Sequence, residues 1–98
     1  MNIKQKSEGK KVTISITGRI DTSTAPQLQE YLKEAMPGVE ELILDLAEVD
    51  YISSAGLRVI LFAQKTMNSQ GSMSVSNANK DILEIFELRG FTDILNII

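Results

Sequence analysis

The sequence contains no histidine and no cysteine. Without histidine it lacks both the usual general base near neutral pH and the commonest metal ligand. Without cysteine it has neither disulfides nor thiolate metal sites, which is compatible with a reducing compartment. It also has no GxxxxGKS/T or GxGxxG segment, so we do not expect it to bind ATP through a phosphate-binding loop. We therefore predict that the chain is not an enzyme and that it holds no metal and no cofactor.

Basic residues are few and scattered. The 98 residues include ten Lys and Arg against 13 Asp and Glu, for a net charge of −3. Nucleic-acid binding needs a face rich in Lys and Arg, so we expect no nucleic-acid partner. No apolar run is long enough to span a membrane, and the first ten residues lack the apolar segment of a secretory signal. We expect a cytoplasmic protein without membrane insertion, a single domain over residues 1–98, monomeric by itself.

The spacing of apolar residues alternates between the strand period and the helix period. A hairpin of two strands is predicted first, followed by three helix–strand units, which gives the order ββαβαβαβ. The predicted fold class is therefore α/β, with a mixed sheet of four or five strands and helices alternating along the chain. The predicted core draws apolar residues from both kinds of element: Ile14, Ile16, Leu28, Leu32, Ile43, Leu44, Leu57, Ile60, Leu61, Ile82 and Phe86.

Polar residues and glycines mark the predicted helix ends. Thr24 and the glutamine three residues later match a capping box for the first helix. Gly71 is predicted at the C′ position of the second helix, and Gly90 is predicted to end the third. Asn77 or Asn79 is predicted to cap the start of the third helix.

The segment VDYISSAGLRV, residues 49–59, places Ser53 and Ser54 between a predicted strand and a predicted helix. One interpretation is structural, because serine is among the best N-cap residues. The other is functional: a cap needs one hydroxyl rather than two, and the small residues Ala55 and Gly56 would leave the serines accessible. A phosphate at a helix N-terminus is also electrostatically compatible with the helix. A hydrolase is not favoured, since the G-x-S-x-G pattern and a histidine base are both missing.

Asp21 has the least evident structural role in the GRIDTST loop, residues 18–24, because Thr24 is already the predicted cap. Its carboxylate is either an ordinary solvated turn group or a functional group near the serines. No basic cluster is evident in the sequence beside Ser54.

Three segments together resemble the STAS domain of anti-sigma factor antagonists: TGRIDTSTAPQL, LILDLAEVDYISSAGLRVILFAQK and IFELRGFTDIL. The resemblance covers nearly the whole chain and implies a partner-switching regulator. The unmodified protein would bind an anti-sigma factor that is also a serine kinase and so free the sigma factor. Phosphorylation would end that complex, and a serine phosphatase would restore it. The alternative is a STAS module that is never phosphorylated and serves as an accessory or ligand-binding subunit, for example of a transporter.

The resemblance also assigns residues. It implies that Ser54, which precedes the Gly-Leu pair by two positions, is the phosphorylated residue, with Ser53 as the alternative. Asp21 matches the family's G-x-(I/L)-D loop, which lies beside that serine. The implied partner-binding residues come from this loop and from the start of the second helix: Asp21, Thr22, Ser23, Ser53, Ser54, Ala55, Gly56 and Arg58.

Overall fold

The chain alternates between strands and helices as its apolar spacing predicts. The computed structural model describes residues 1–98, and the predicted order ββαβαβαβ is confirmed. The strands are β1 (Asn2–Glu8), β2 (Lys11–Ile20), β3 (Glu41–Ile52), β4 (Ser72–Ser76) and β5 (Asn96–Ile97). The helices are α1 (Ala25–Ala35), α2 (Ser54–Asn68) and α3 (Lys80–Leu88), and a 3₁₀ turn at Phe91–Asp93 precedes β5.

The strands form one five-stranded sheet in the order β1-β2-β3-β4-β5. The hairpin pair β1 and β2 is antiparallel, whereas the pairs joined through a helix are parallel, as crossover connections require. The sheet is mixed and has five strands, and the sequence analysis predicted a mixed sheet of four or five. β3 is longer than the apolar run suggested and continues to Ile52, which pairs with Ile20 at the end of β2.

One hydrophobic cluster lies between a single face of the sheet and the helices. Leu42, Leu44 and Leu46 of β3 are fully buried, while the residues between them are not. All predicted core residues are buried except Ile43 and Leu61, which are only half-buried. Ile43 points to the other face of the sheet because side chains alternate along a strand. Leu61 borders a groove next to the 3₁₀ turn.

The end of α3 is as predicted, and its cap is now assigned. Asn79 is the cap, because its side-chain oxygen accepts a hydrogen bond from the backbone N–H of Ile82 at 2.9 Å. Asn77 instead takes a left-handed backbone conformation with φ 59°. Gly90 follows α3 with φ 74°, the conformation that favours glycine after a helix.

The prediction that Gly71 occupies the C′ position of α2 is wrong. The helix ends at Asn68, and Ser69 is its C-cap. Gly71 is not among the residues with positive φ. A Cβ atom at Gly71 would overlap the backbone carbonyl of Glu40. Glycine is required here because two backbone segments approach each other closely.

Candidate functional site

The two loops predicted to form the site start side by side at the carboxyl ends of β2 and β3. Parallel pairing sets Ile20 opposite Ile52. The backbone N–H of Ser53 then donates a hydrogen bond to the carbonyl of Ile20 at 2.8 Å. The Asp21 loop and the serine pair therefore leave the sheet at neighbouring positions, at the edge where parallel sheets commonly carry their sites.

The two adjacent serines have different environments. Ser53 has extended backbone angles and is the N-cap of α2, and its Oγ accepts a hydrogen bond from the N–H of Gly56 at 3.3 Å. Ser54 is the first residue of the helix, is exposed and makes no capping bond. Its Oγ instead accepts a hydrogen bond from Nη2 of Arg89 at 3.3 Å. The structural interpretation therefore applies to Ser53, while the hydroxyl of Ser54 is not needed to cap the helix.

Gly56 has a packing role. It is buried, and a Cβ atom at this position would lie 2.7 Å from Cγ2 of Ile20 and 2.8 Å from Cγ1 of Ile52. The absence of a side chain lets the first turn of α2 pack directly onto the ends of β2 and β3. This packing is a structural reason for glycine at position 56; its predicted place among the partner-binding residues stays a prediction, although its burial leaves it little accessible surface.

Asp21 closes the turn before α1. Its Oδ1 accepts hydrogen bonds from the Ser23 hydroxyl at 2.8 Å, the Ser23 N–H at 3.0 Å and the Thr24 N–H at 3.1 Å. The Ser23 hydroxyl, followed by the Thr24 N–H, lowers the pKa of Asp21 from 3.8 to about 2. The predicted capping box is wrong, because Thr24 is the N-cap by position but its side chain makes no cap bond. The Thr24 hydroxyl donates instead to the carbonyl of Arg19 at 2.7 Å.

Arg19 connects the Asp21 turn to the end of β3. Its Nε lies 3.6 Å from Oδ2 of Asp21, and its guanidinium carbon lies 4.4 Å from the ring centre of Tyr51. Arg19 and Tyr51 are paired across β2 and β3, which places the cation over the aromatic face. Neither residue was predicted to belong to the site. Each is an exposed or partly exposed side chain at a strand end, and only the pairing register brings them together.

Two open grooves flank the start of α2. The α1–α2 groove contains three predicted partner-binding residues, Thr22, Ala55 and Arg58. The α2–α3 groove contains Ser54 and is lined by Tyr51, Ile52, Ser53, Ser54, Leu57, Ile85, Leu88 and Arg89. A continuation of it, which shares Ser54, Leu57 and Arg89, runs past Arg58 and Leu61 toward Phe91. The predicted partner-binding residues in these grooves therefore lie around the start of α2, but on two sides of it: some line the α1–α2 groove and others line the α2–α3 groove.

The far side of the α2–α3 groove was missed by the sequence analysis. Leu88 is 84% exposed although it is a large apolar residue, and Arg89 contacts Ser54. The sequence analysis found no evident basic cluster beside Ser54 and did not anticipate that Arg89 of another helix contacts it. The sequence signal for Arg89 is weak: it directly precedes Gly90 and so lies at the end of α3, but nothing local indicates which helix it faces.

The groups gathered here are hydroxyls, guanidinium groups and a carboxylate already held in a turn. No three His, Cys, Asp or Glu side chains lie close enough together to hold a metal ion. No helix combines the length and the apolar character needed to cross a membrane. An exposed hydroxyl at the start of a helix is a group that another enzyme can phosphorylate without removing the helix cap.

The fold and the site define an α/β domain with an exposed serine at a helix start between two grooves. A family model described as "Mlab, STAS domain" matches residues 3–96. The chain is 30% identical over 98 residues to the anti-sigma-B factor antagonist of Bacillus subtilis, an alignment that covers 99% of this chain and 90% of that protein. The chain belongs to the STAS domain family, and within it to the anti-sigma factor antagonists.

Solved structures show the same fold. An anti-sigma factor antagonist from Mycobacterium paratuberculosis matches with a TM-score of 0.89 at 18% identity, over 98% of this chain and 83% of that one. The Bacillus cell fate determinant SpoIIAA in its phosphorylated form matches with a TM-score of 0.77 at 15% identity, over 99% of this chain and 91% of that one. The predicted STAS fold is confirmed.

Proposed function

We propose that the protein binds an anti-sigma factor while Ser54 is unmodified, and that this anti-sigma factor is a kinase whose phosphorylation of Ser54 ends the complex. The γ-phosphoryl group of ATP passes to Oγ of Ser54, the bond to the leaving ADP breaks, and the hydroxyl proton is released. A serine phosphatase reverses the change by adding water to the phosphate ester, which returns the hydroxyl and inorganic phosphate.

The observation that carries the proposal is the division of tasks between the two serines. Ser53 is half-buried, and its Oγ already accepts the capping hydrogen bond from Gly56. Ser54 is exposed at the rim of the α2–α3 groove. A kinase can therefore reach the Ser54 hydroxyl while the helix keeps its cap. This difference favours Ser54 over Ser53 as the phosphoacceptor.

The proposed docking surface includes the predicted residues that have accessible atoms and extends across the α2–α3 groove. Exposed Leu88 and partly exposed Tyr51 provide apolar area on that side. The full proposed set is Asp21, Thr22, Ser23, Ser53, Ser54, Ala55, Arg58, Tyr51, Leu88 and Arg89. Apolar and aromatic anchors surrounded by polar groups are typical of protein interfaces.

A phosphate at the centre of this surface weakens partner binding for a physical reason. It adds about −1.5 to −2 charges and three strong acceptor oxygens to a group that was neutral. A partner that packs closely against Ser54 has to desolvate that charge or move away from it. A hundredfold loss of affinity corresponds to only about 2.7 kcal/mol, which is within the cost of an imperfectly paired charge at an interface.

The comparisons support this proposal. The named relative antagonises an anti-sigma factor, and a structural neighbour occurs in a phosphorylated form. The direct test is mass spectrometry of the protein isolated from its native cells with phosphatases inhibited. We expect a fraction of the chains to carry one phosphate on Ser54 within the 49–59 segment. Phosphate on Ser53 instead would move the site by one residue. Chains unmodified under every growth condition would favour the constitutive accessory subunit over the switch.

A further inference from the structure

Arg89 reaches Ser54 from a different helix. It is the C-cap of α3, and its Nη2 donates a hydrogen bond to Oγ of Ser54 across the α2–α3 groove at 3.3 Å. Gly90 follows in the left-handed conformation and turns the chain immediately after it. The end of α3 thus places Arg89 at the rim of the groove. Its guanidinium group already contacts the oxygen atom that would carry a phosphate.

Arg58 lies one helical turn after Ser54. Residues four apart on a helix share one face, and Arg58, Ser54 and Arg89 border the same continuation of the groove. Neither Arg58 nor Arg89 forms an ion pair, because the four ion pairs of the chain involve Lys6, Lys10, Arg19 and Lys33. Two unpaired guanidinium groups therefore border a groove that contains one exposed hydroxyl.

No carboxylate lines this groove to neutralise the arginines. The acidic residues closest to it border other depressions: Glu84 and Glu87 border a separate one on α3, and Glu30 shares the α1–α2 groove with Arg58 but forms its ion pair with Lys33. The α2–α3 groove is thus a cationic position at Arg89 that no carboxylate of the groove neutralises.

We infer that Arg89, assisted by Arg58, is an intramolecular receptor for the phosphate on Ser54. This inference rests on the proposed function, because it describes the phosphorylated state of the same serine. A guanidinium group presents paired N–H donors that match two phosphate oxygens, and such charge-assisted bonds are stronger than the present bond to a neutral hydroxyl. The receptor ties the start of α2 to the end of α3.

The receptor gives the switch a second component besides charge repulsion. When Arg89 binds the phosphate, it is no longer available to a partner, and it stays beside Ser54 at the rim of the groove. Phosphorylation then removes part of the docking surface as well as adding charge to it. The phosphorylated domain is also expected to be more stable than the unmodified one, because the phosphate joins two helices that otherwise share a single hydrogen bond at this point.

The test uses full-length protein in which phosphoserine is incorporated at position 54 during translation. The second pKa of the phosphate is measured by phosphorus NMR in the otherwise unchanged chain and in the variants Arg89→Gln and Arg58→Gln. Lys65→Gln is the matched control, because it removes one positive charge from the same helix roughly 16 Å further along its axis. That distance exceeds the Debye length of about 8 Å at physiological salt.

We expect the phosphate pKa in the unchanged chain to lie below its ordinary value of about 6, because the guanidinium groups favour the dianion. Arg89→Gln should raise it by about 0.5 units or more, Arg58→Gln by less, and Lys65→Gln by under about 0.2 units. A phosphate pKa that Arg89→Gln leaves unchanged would overturn the receptor whatever its value, because the N-terminus of α2 alone also favours the dianion. Since Arg89 is exposed, we expect the unphosphorylated Arg89→Gln protein to melt like the unchanged one.

The two proposals fail separately. Phosphoserine enters during translation, so the pKa measurement does not depend on any kinase. An absent pKa shift with phosphate found on Ser54 in native cells would overturn the receptor and leave the switch. A clear pKa shift without any phosphate in native cells would overturn the switch and show only that the groove binds a phosphate placed there.

Discussion

At the residue scale, the backbone changes conformation between two identical side chains. Ser53 ends the extended segment and Ser54 begins the helix, so their hydroxyls point to different partners, Gly56 and Arg89. Replacing a capping serine lowers the stability of the fold, whereas replacing an exposed serine in the first turn has little effect on it. The sequence was enough to single out both serines as candidates. It could not show which of them is the cap, because that depends on the exact residue at which the strand ends and the helix begins.

The first prediction separates the two serines by stability. Ser53→Ala should lower the free energy of unfolding by about 1 kcal/mol through loss of the cap. Ser54→Ala should change it by less than about 0.5 kcal/mol, because this side chain makes only one exposed hydrogen bond. Urea unfolding of the two variants side by side measures both values. Equal losses, or a larger loss for Ser54→Ala, would contradict the assignment of the cap to Ser53.

The second prediction concerns Ser54→Asp. A carboxylate in the first turn of a helix is favoured by the helix dipole by about 0.3–1 kcal/mol, and Arg89 is in reach to pair with it. We expect this variant to melt at the same temperature as the unchanged protein or slightly above it. Adding Arg89→Gln to Ser54→Asp should remove part of that gain. A lower melting temperature for Ser54→Asp would show that the first turn does not tolerate added negative charge.

The third prediction is a pH dependence at Asp21. Its folded pKa of about 2 is below the ordinary 3.8, so its contribution to stability is complete above about pH 4 and is lost as the pH falls toward 2. Asp21→Asn keeps an acceptor oxygen but does not titrate, so its melting temperature should fall less than that of the unchanged protein between pH 4 and pH 2. Asp50→Asn, at an exposed carboxylate, is the matched control for the removal of one negative charge without the Asp21 hydrogen bonds.

At the element scale, helix ends explain most differences between the predicted and the observed molecule. The order of elements follows from apolar periodicity, which each segment carries within itself. Gly56 and Gly71, in contrast, depend on contacts between segments: each lies where another segment approaches too closely for a Cβ atom. The sequence of one segment does not show which other segment packs against it. The reason for glycine at these two positions therefore could not be predicted.

The fourth prediction tests this close approach at α2. Gly56→Ala would place Cβ 2.8 Å from both the Ile20 carbonyl oxygen and Cγ1 of Ile52. We expect a loss of about 1–3 kcal/mol in unfolding free energy, as for other overpacked positions, although alanine is the better helix former. Thermal and urea unfolding measure the loss, and Ser54→Ala in the same turn is the control. A stabilised Gly56→Ala protein would mean that α2 does not pack onto the strand ends as described.

At the scale of the whole molecule, the parallel pairing of β2 and β3 assembles the site. It sets the Asp21 turn beside the serine pair, and the placement of α3 then brings Arg89 and Leu88 to the other side of Ser54. The first of these relations could be predicted, because consecutive parallel strands end at the same edge. The second depends on where α3 packs after the β4 crossover, which is a long-range property. The resemblance in sequence therefore predicted one side of the proposed docking surface and missed the other.

The central claim is that a single phosphate on Ser54 controls binding of an anti-sigma factor. Titration calorimetry with the purified anti-sigma factor measures it directly, using the unmodified protein, the protein with phosphoserine at position 54, and Ser54→Ala. We expect phosphoserine to weaken binding at least tenfold, which is a loss of about 1.4 kcal/mol or more, while Ser54→Ala binds within about threefold of the unmodified protein. Equal affinity of the phosphorylated and unmodified proteins would contradict the account.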